Sequence, residues 1–249
     1  MYEAFVQYFK IPSNDKLEDI DCNNCLMAQK GIYLPHLKCC TFHPYIPNYA
    51  VGAILKEKGE GANLIIEKLC KREFVLPLGV IPSWNYRIEH EFTSTTQYGR
   101  VDQLLCPFFN INEKTCHIWK YRSSSCRSYY CESKWGKKGL EYWEKYLDAF
   151  YFMEMALAQD FMLEQGFDWI EIEEQLDTLK EGVNTLQEGR RVLTEELHEK
   201  YWQHLLGHEL EFFDFCYSNF KNFNRHDFTK VLGVQGLAFF AELGSWGPS

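Results

Sequence analysis

Ten cysteines in a chain of 249 residues carry its clearest chemical signal. Cys22 and Cys25 form a C-x2-C pair in DCNNC, and Cys39 and Cys40 are adjacent in KCCTFHP. Cys106, Cys116 and Cys126 follow at ten-residue steps, and Cys131 closes CRSYYC. A C-x2-C turn brings two sulfurs within reach of one ion, and ligands from a distant segment then complete the set. These eight are therefore candidate metal ligands. Two adjacent sulfurs sit awkwardly on one tetrahedral ion, so Cys39 and Cys40 are expected to serve two metals, bridge a cluster, or divide into one ligand and one neighbour. Cys70, at the end of an amphipathic segment, and Cys216, in EFFDFCYSNF, stand outside the pattern and are expected to be buried small apolar residues.

A thiolate site accumulates negative charge. Residues 114 to 138 hold Lys114, Lys120, Arg122, Arg127, Lys134, Lys137 and Lys138 against the single acid Glu132. Arg122 and Arg127 flank Cys126, where they can offset that charge or donate hydrogen bonds to the sulfurs. A solvated basic surface is the plainer explanation for the lysines. His43 and His117, near Cys40 and Cys116, are possible replacements for a thiolate. His204 and His208, four apart with Glu211 nearby, are a weaker metal candidate, since Leu205 stands where the zincin pattern requires Glu. No P-loop, no dinucleotide fingerprint and no G-x-S-x-G elbow is present, and no single cysteine stands out as a nucleophile. Trp119, Tyr121, Tyr129, Tyr130 and Trp135 interleave with the basic residues as in a single-strand-binding surface. That reading is opposed by the charge of the rest of the chain.

Those residues must be positioned by two chemically different halves. The net charge of -9 divides into 18 Lys+Arg against 14 Asp+Glu over residues 1 to 140, and 8 against 21 beyond. Nine of the ten cysteines precede residue 132. Residues 48 to 70 read as two short helices broken at Gly59 and Gly61. Glu73 to Leu78, Tyr86 to Thr93 and Arg100 to Leu105 read as short strands, being partly β-branched or alternating and bounded by Pro, Gly and Ser. After Gly136 the pattern becomes helical. Tyr142, Trp143, Tyr146, Leu147, Phe150, Met153, Leu157 and Phe161 recur at helical spacing up to a cap at Gly166. Further helices are expected over Ile170 to Leu186, from an N-cap at Thr194 through Tyr217, and briefly from Asp227 through Val231.

The expected fold class is α+β: an irregular cysteine-rich metal-binding lobe with short strands at residues 1–135, and a helical region at 136–249 packed against it. No stretch approaches the length of a membrane span, and the opening MYEAFVQYFKIPSNDK lacks the features of a leader. A cytoplasmic protein with no membrane partner is expected. In that reduced compartment metal accounts for the thiols better than disulfides do.

In the order and local context of its cysteines the chain resembles the YkgJ-type cysteine-cluster proteins, a zinc- or iron-chelating family. The residues carrying the resemblance are Cys22 with Cys25, Cys39-Cys40, Cys106-Pro107-Phe108, Cys116, and Arg122 to Tyr129 closed by Cys131. It covers roughly residues 20 to 132 and implies chelation of zinc or iron by all eight cysteines. Two departures stand out. Thirteen residues separate Cys25 from Cys39 where the family has a shorter spacer, and Ser123 replaces a proline. A related pattern in the flagellin lysine methylases implies an alternative, an iron-sulfur-dependent redox or protein-modifying enzyme. The sequence leaves open whether the metal is structural or catalytic. The acidic helical region is the expected surface for a protein partner, and a nucleic-acid-binding module is the disfavoured alternative.

Overall fold

The computed structural model of the chain describes residues 3–11, 24–129, 136–180, 190–223 and 225–246. The described residues are mostly helical, with a small three-stranded antiparallel sheet and a separate two-stranded one. The helices, in chain order, are α1 (Glu3–Tyr8), α2 (Leu26–Gln29), α3 (Asn48–Glu57), α4 (Glu60–Cys70), α5 (Trp84–Gln97), α6 (Ser124–Ser128), α7 (Lys137–Glu164), α8 (Trp169–Lys180), α9 (Glu195–Trp202), α10 (Glu209–Asn222) and α11 (Arg225–Ser245). Strands β1 (Ile46–Pro47), β2 (Val75–Leu76) and β3 (Gly79–Val80) form the sheet in the order β1-β3-β2, all pairs antiparallel. Strands β4 (Phe109–Asn110) and β5 (Thr115–Cys116) form the hairpin.

The long helix α7 follows its periodicity. Tyr142, Trp143, Tyr146, Phe150, Met153, Leu157 and Phe161 are all buried, one stripe facing the core. It stops where Gly166 adopts a positive φ: the Phe167 N–H reaches Met162 O at 3.2 Å and the Gly166 N–H reaches Leu163 O at 3.0 Å. This Schellman closure satisfies carbonyls that the helix end would orphan, and it buries Phe167 near Met162. The break between α3 and α4 falls at Gly59, as expected, while Gly61 lies inside α4.

Helices from both ends of the chain share one apolar cluster. Phe5 of α1 packs against Phe220, Phe228 and Phe240, and α3 lies against α10 at Gly52. A Cβ at Gly52 would sit 1.9 Å from the Phe213 carbonyl oxygen, so only glycine permits this approach. Asn48, fully buried, donates through Nδ2 to Pro77 O and Ala158 O, at 3.1 and 3.0 Å, tying the sheet to α7.

Several expectations are overturned. Tyr86 to Thr93 is helical, inside α5: the Ser83 side chain accepts from the Tyr86 N–H at 3.3 Å and starts a helix. The alternation of Tyr86, Ile88, His90 and Phe92 only imitates a strand, since Phe92 is 74% exposed. Arg100 to Leu105 holds a 3-10 turn, Asp102–Leu104, closed by local bonds, with no strand partner among the described residues. Of Glu73 to Leu78, only Val75–Leu76 pairs as strand. The run from Thr194 is broken into α9, a 3-10 turn at Gln203–Leu205 and α10, with Gly207 at positive φ between them. Thr194 does cap α9, accepting from the Leu197 N–H at 3.2 Å. The final helix extends well beyond Val231, through a kink at Gly233. The helix from Ile170 is described to Lys180, and its expected remainder lies outside the described residues. Cys216 is buried as expected, whereas Cys70 is exposed, because α4 buries the face of Gly61, Ala62 and Ile65 and Cys70 falls five residues past Ile65. Among the described residues no helix is long and apolar enough to cross a membrane.

Candidate metal centre

Five of the eight candidate cysteines come from three pieces of chain that the fold brings together. Cys39 and Cys40 lie in the loop before β1. The loop is held by bonds from the Leu34 N–H to Gly99 O (2.9 Å) and from the Gly99 N–H to Thr41 Oγ1 (3.0 Å). Gly99 has φ +73°, and a Cβ there would meet the Tyr33 ring at 2.3 Å. Tyr98 donates its hydroxyl to Cys39 O at 3.0 Å. The Cys106 N–H then donates to Cys40 O at 2.8 Å, fastening the second piece to the first.

The second piece is the hairpin. Phe109 pairs with Cys116, which brings the segment of Cys106 beside Cys116 although ten residues separate them. Asn110 Oδ1 accepts from the Asn112 and Glu113 N–H groups and shapes the turn. Lys38, buried beside Cys39, donates to Lys114 O at 3.1 Å and holds its ammonium 5.6 Å from the centroid of the Phe109 ring. The third piece is α6, which carries Cys126. Glu154 of α7, with no exposed surface, accepts from the Ser124 N–H at 2.6 Å and from Ser124 Oγ at 2.7 Å. A carboxylate at a helix N-terminus is favoured by the orphan N–H groups and the local dipole. A residue of the acidic half thus sets the position of Cys126.

The thiols feel one another. Cys40 is pushed far above the usual thiol range by its hydrogen bond to Cys39, by burial, and by the charges that Cys39, Cys106 and Cys116 would carry. Burial pushes Cys106 up to about 12 against a bond from the Phe108 N–H, with Cys116 and Cys39 raising it further and Lys68 lowering it. Burial raises Cys116 as well, opposed by the Ile118 N–H and by Arg122. Cys126 is raised by burial and by Cys106, again opposed by Arg122. In Cys106 and Cys116 alike, the N–H two residues on points at the sulfur, an arrangement that favours the thiolate. Arg122 lies 3.4 Å from the centroid of the Trp119 ring and donates from Nε to Trp119 O.

Cys39, Cys40, Cys106, Cys116 and Cys126 are described residues that could supply sulfur to a metal. Crowded buried thiols oppose one another's ionisation, and a coordinated cation removes that opposition by deprotonating them. The Ser123 hydroxyl, three residues before Cys126, is buried without a hydrogen-bond partner among the described residues, as an incomplete polar site would leave it. Among the described residues no three His, Cys, Asp or Glu side chains already stand in a coordination arrangement. Cys22 and Cys131 lie outside the described residues, and Cys25, half-buried, stands at the N-cap of α2 without a side-chain capping bond.

The histidines and the basic patch fare less well. His43 donates from Nε2 to Leu105 O at 3.1 Å and stacks on Tyr86 at 3.8 Å, and burial lowers it to about 4, against the Leu105 bond. His117 is half-buried, its backbone N–H bound to Phe108 O. His204 and His208 do not share a helix face. His204 lies in the 3-10 turn and bonds Gln165 O, and His208 precedes α10. Lys120 pairs with Glu57, while Lys134, Tyr130 and Trp135 lie outside the described residues. Lys38 and Glu154 escaped the sequence reading: one is a lysine like any other in KCC, and the other is the single acid in the apolar helical stretch AFYFMEMALA, 28 residues past Cys126. No protein-family model, curated protein or solved structure matches the chain.

Proposed function

We propose that this chain chelates zinc or iron through cysteine thiolates, with Cys39, Cys40, Cys106, Cys116 and Cys126 as the central ligands and Cys22, Cys25 and Cys131 completing the set. The observation that carries the reading is that five cysteines from three separate segments lie near enough to perturb one another's ionisation, two of them with an N–H bond at sulfur and two within the field of Arg122. The arrangement expected of the YkgJ-type family and an irregular cysteine-rich lobe are part of the same proposal. Bound zinc supplies fold-stabilising coordination, and bound iron, alone or as a cluster with sulfide, supplies redox chemistry. The residues of the chain position the segments that carry the sulfurs, through Glu154 bonded to Ser124 ahead of Cys126 and through Lys38 bonded to the hairpin turn.

Elemental analysis of anaerobically purified protein tests the proposal. A stoichiometric metal content, reduced in the Cys106→Ser, Cys116→Ser and Cys126→Ser variants, is the expected result. Metal-free protein that takes up neither zinc nor iron on reconstitution refutes it. A brown protein with iron and acid-labile sulfide selects a cluster, and a colourless zinc protein selects the single-ion form.

A further inference from the structure

A cavity of about 440 Å3 lies against the candidate centre, with Cys106 in its wall. Its size falls within the range of small-molecule sites. Four charged side chains line it. Lys68 and Glu73 neutralise each other at 2.9 Å. Among the described residues Arg191 makes no ion pair, and the Glu89 carboxylate receives only the Asn85 side-chain amide at 3.2 Å. One cation and one anion therefore line the same space with no counter-charge among the described residues, and no bond joins them. His43 lines the cavity too. Its Nε2 must carry the proton, because that atom is bonded to a carbonyl, so Nδ1 presents a lone pair that no described residue uses.

We propose that this cavity binds a free amino acid, its carboxylate on Arg191 and its ammonium on Glu89, with the side chain directed toward His43 and Cys106. A zwitterion matches one free cation and one free anion without altering the net charge of the cavity. A simple anion or cation would leave Glu89 or Arg191 unmatched and opposed to it. Charge-assisted bonds at both ends supply the affinity and the orientation. The His43 lone pair in the lining favours side chains carrying an N–H or O–H donor. The inference stands apart from the metal proposal, since neither Arg191 nor Glu89 is a candidate ligand.

The test is isothermal titration of the chain as purified with each free proteinogenic L-amino acid, followed by the N-acetyl and methyl-ester forms of the tightest binder. At least one free amino acid is expected to bind, and blocking either end is expected to weaken it by about tenfold or more, as loss of one charge-assisted contact does. Arg191→Ala and Glu89→Gln should each weaken binding by a similar factor while leaving the melting temperature unchanged. Arg191 is exposed and Glu89 half-buried, so neither change removes core packing. Absence of binding by every amino acid, or binding indifferent to both substitutions, overturns the assignment.

Discussion

Replacing Glu154 with leucine tests how the acidic helical half positions the cysteines. Glu154 has no exposed surface and accepts two bonds from Ser124, at 2.6 Å from the backbone N–H and at 2.7 Å from the hydroxyl. Leucine has similar bulk and no acceptor, so two buried donors lose their partner. An unsatisfied buried donor costs about 1–3 kcal/mol. Removing a buried carboxylate also relieves its own desolvation, which offsets part of that loss. The expected net destabilisation is about 2–4 kcal/mol, or roughly 5–15 °C in melting temperature for a chain of this length. Ser124→Ala removes one bond and keeps the other, for about 1 kcal/mol. The double variant should lose less than the sum of the two, because both delete one interaction. Urea unfolding of metal-free protein measures the energies. In parallel, the rate of thiol alkylation at Cys126 should rise in Glu154→Leu as α6 loosens. A Glu154→Leu protein within about 0.5 kcal/mol of the parent, with unchanged Cys126 reactivity, refutes the role assigned to the pair.

Gly52→Ala should cost about 1–3 kcal/mol or more, measured by urea unfolding, because its Cβ would stand 1.9 Å from the Phe213 carbonyl oxygen and force α3 from α10. His43, held at about 4 chiefly by burial, stays neutral in the folded chain while the unfolded chain takes up its proton near the ordinary value. Its contribution is therefore whole above the ordinary value, is lost as pH falls from about 6.5 to about 4, and amounts to about 3 kcal/mol at most. Stability measured across that range in His43→Phe should fall less steeply than in the parent; an identical slope contradicts the assignment. Arg122→Ala should weaken metal affinity by about tenfold or more in competition with a chromophoric chelator, and slow alkylation of Cys116 and Cys126, since Arg122 favours both thiolates.

Much of the helical architecture was legible because it is local. Tyr142 to Phe161 repeat at helical spacing on one face, and Gly166 ends the run by a backbone conformation other residues resist. The misreadings arose where local signals conflict. Tyr86, Ile88, His90 and Phe92 alternate like a strand, but a single capping bond from Ser83 places them in a helix. Across α9 to α10 the apolar spacing runs on, yet Gln203 and Gly207 at positive φ interrupt the backbone. The candidate site shows the same division. The order of its cysteines is visible as text, whereas Glu154 and Lys38 act through contacts with residues 30 and 76 positions away.

By itself the sequence determined which residue types are present for chemistry, where the charge changes sign, and where the strongest helices begin and end. Spacing and capping express short-range physics, and that physics is written in neighbouring residues. The tertiary structure decided which five cysteines lie within electrostatic reach of one another, that Cys70 does not belong to the core, that His204 and His208 part company, and that Arg191 and Glu89 line one cavity. Those outcomes depend on burial and on contacts between distant segments, which no local pattern encodes.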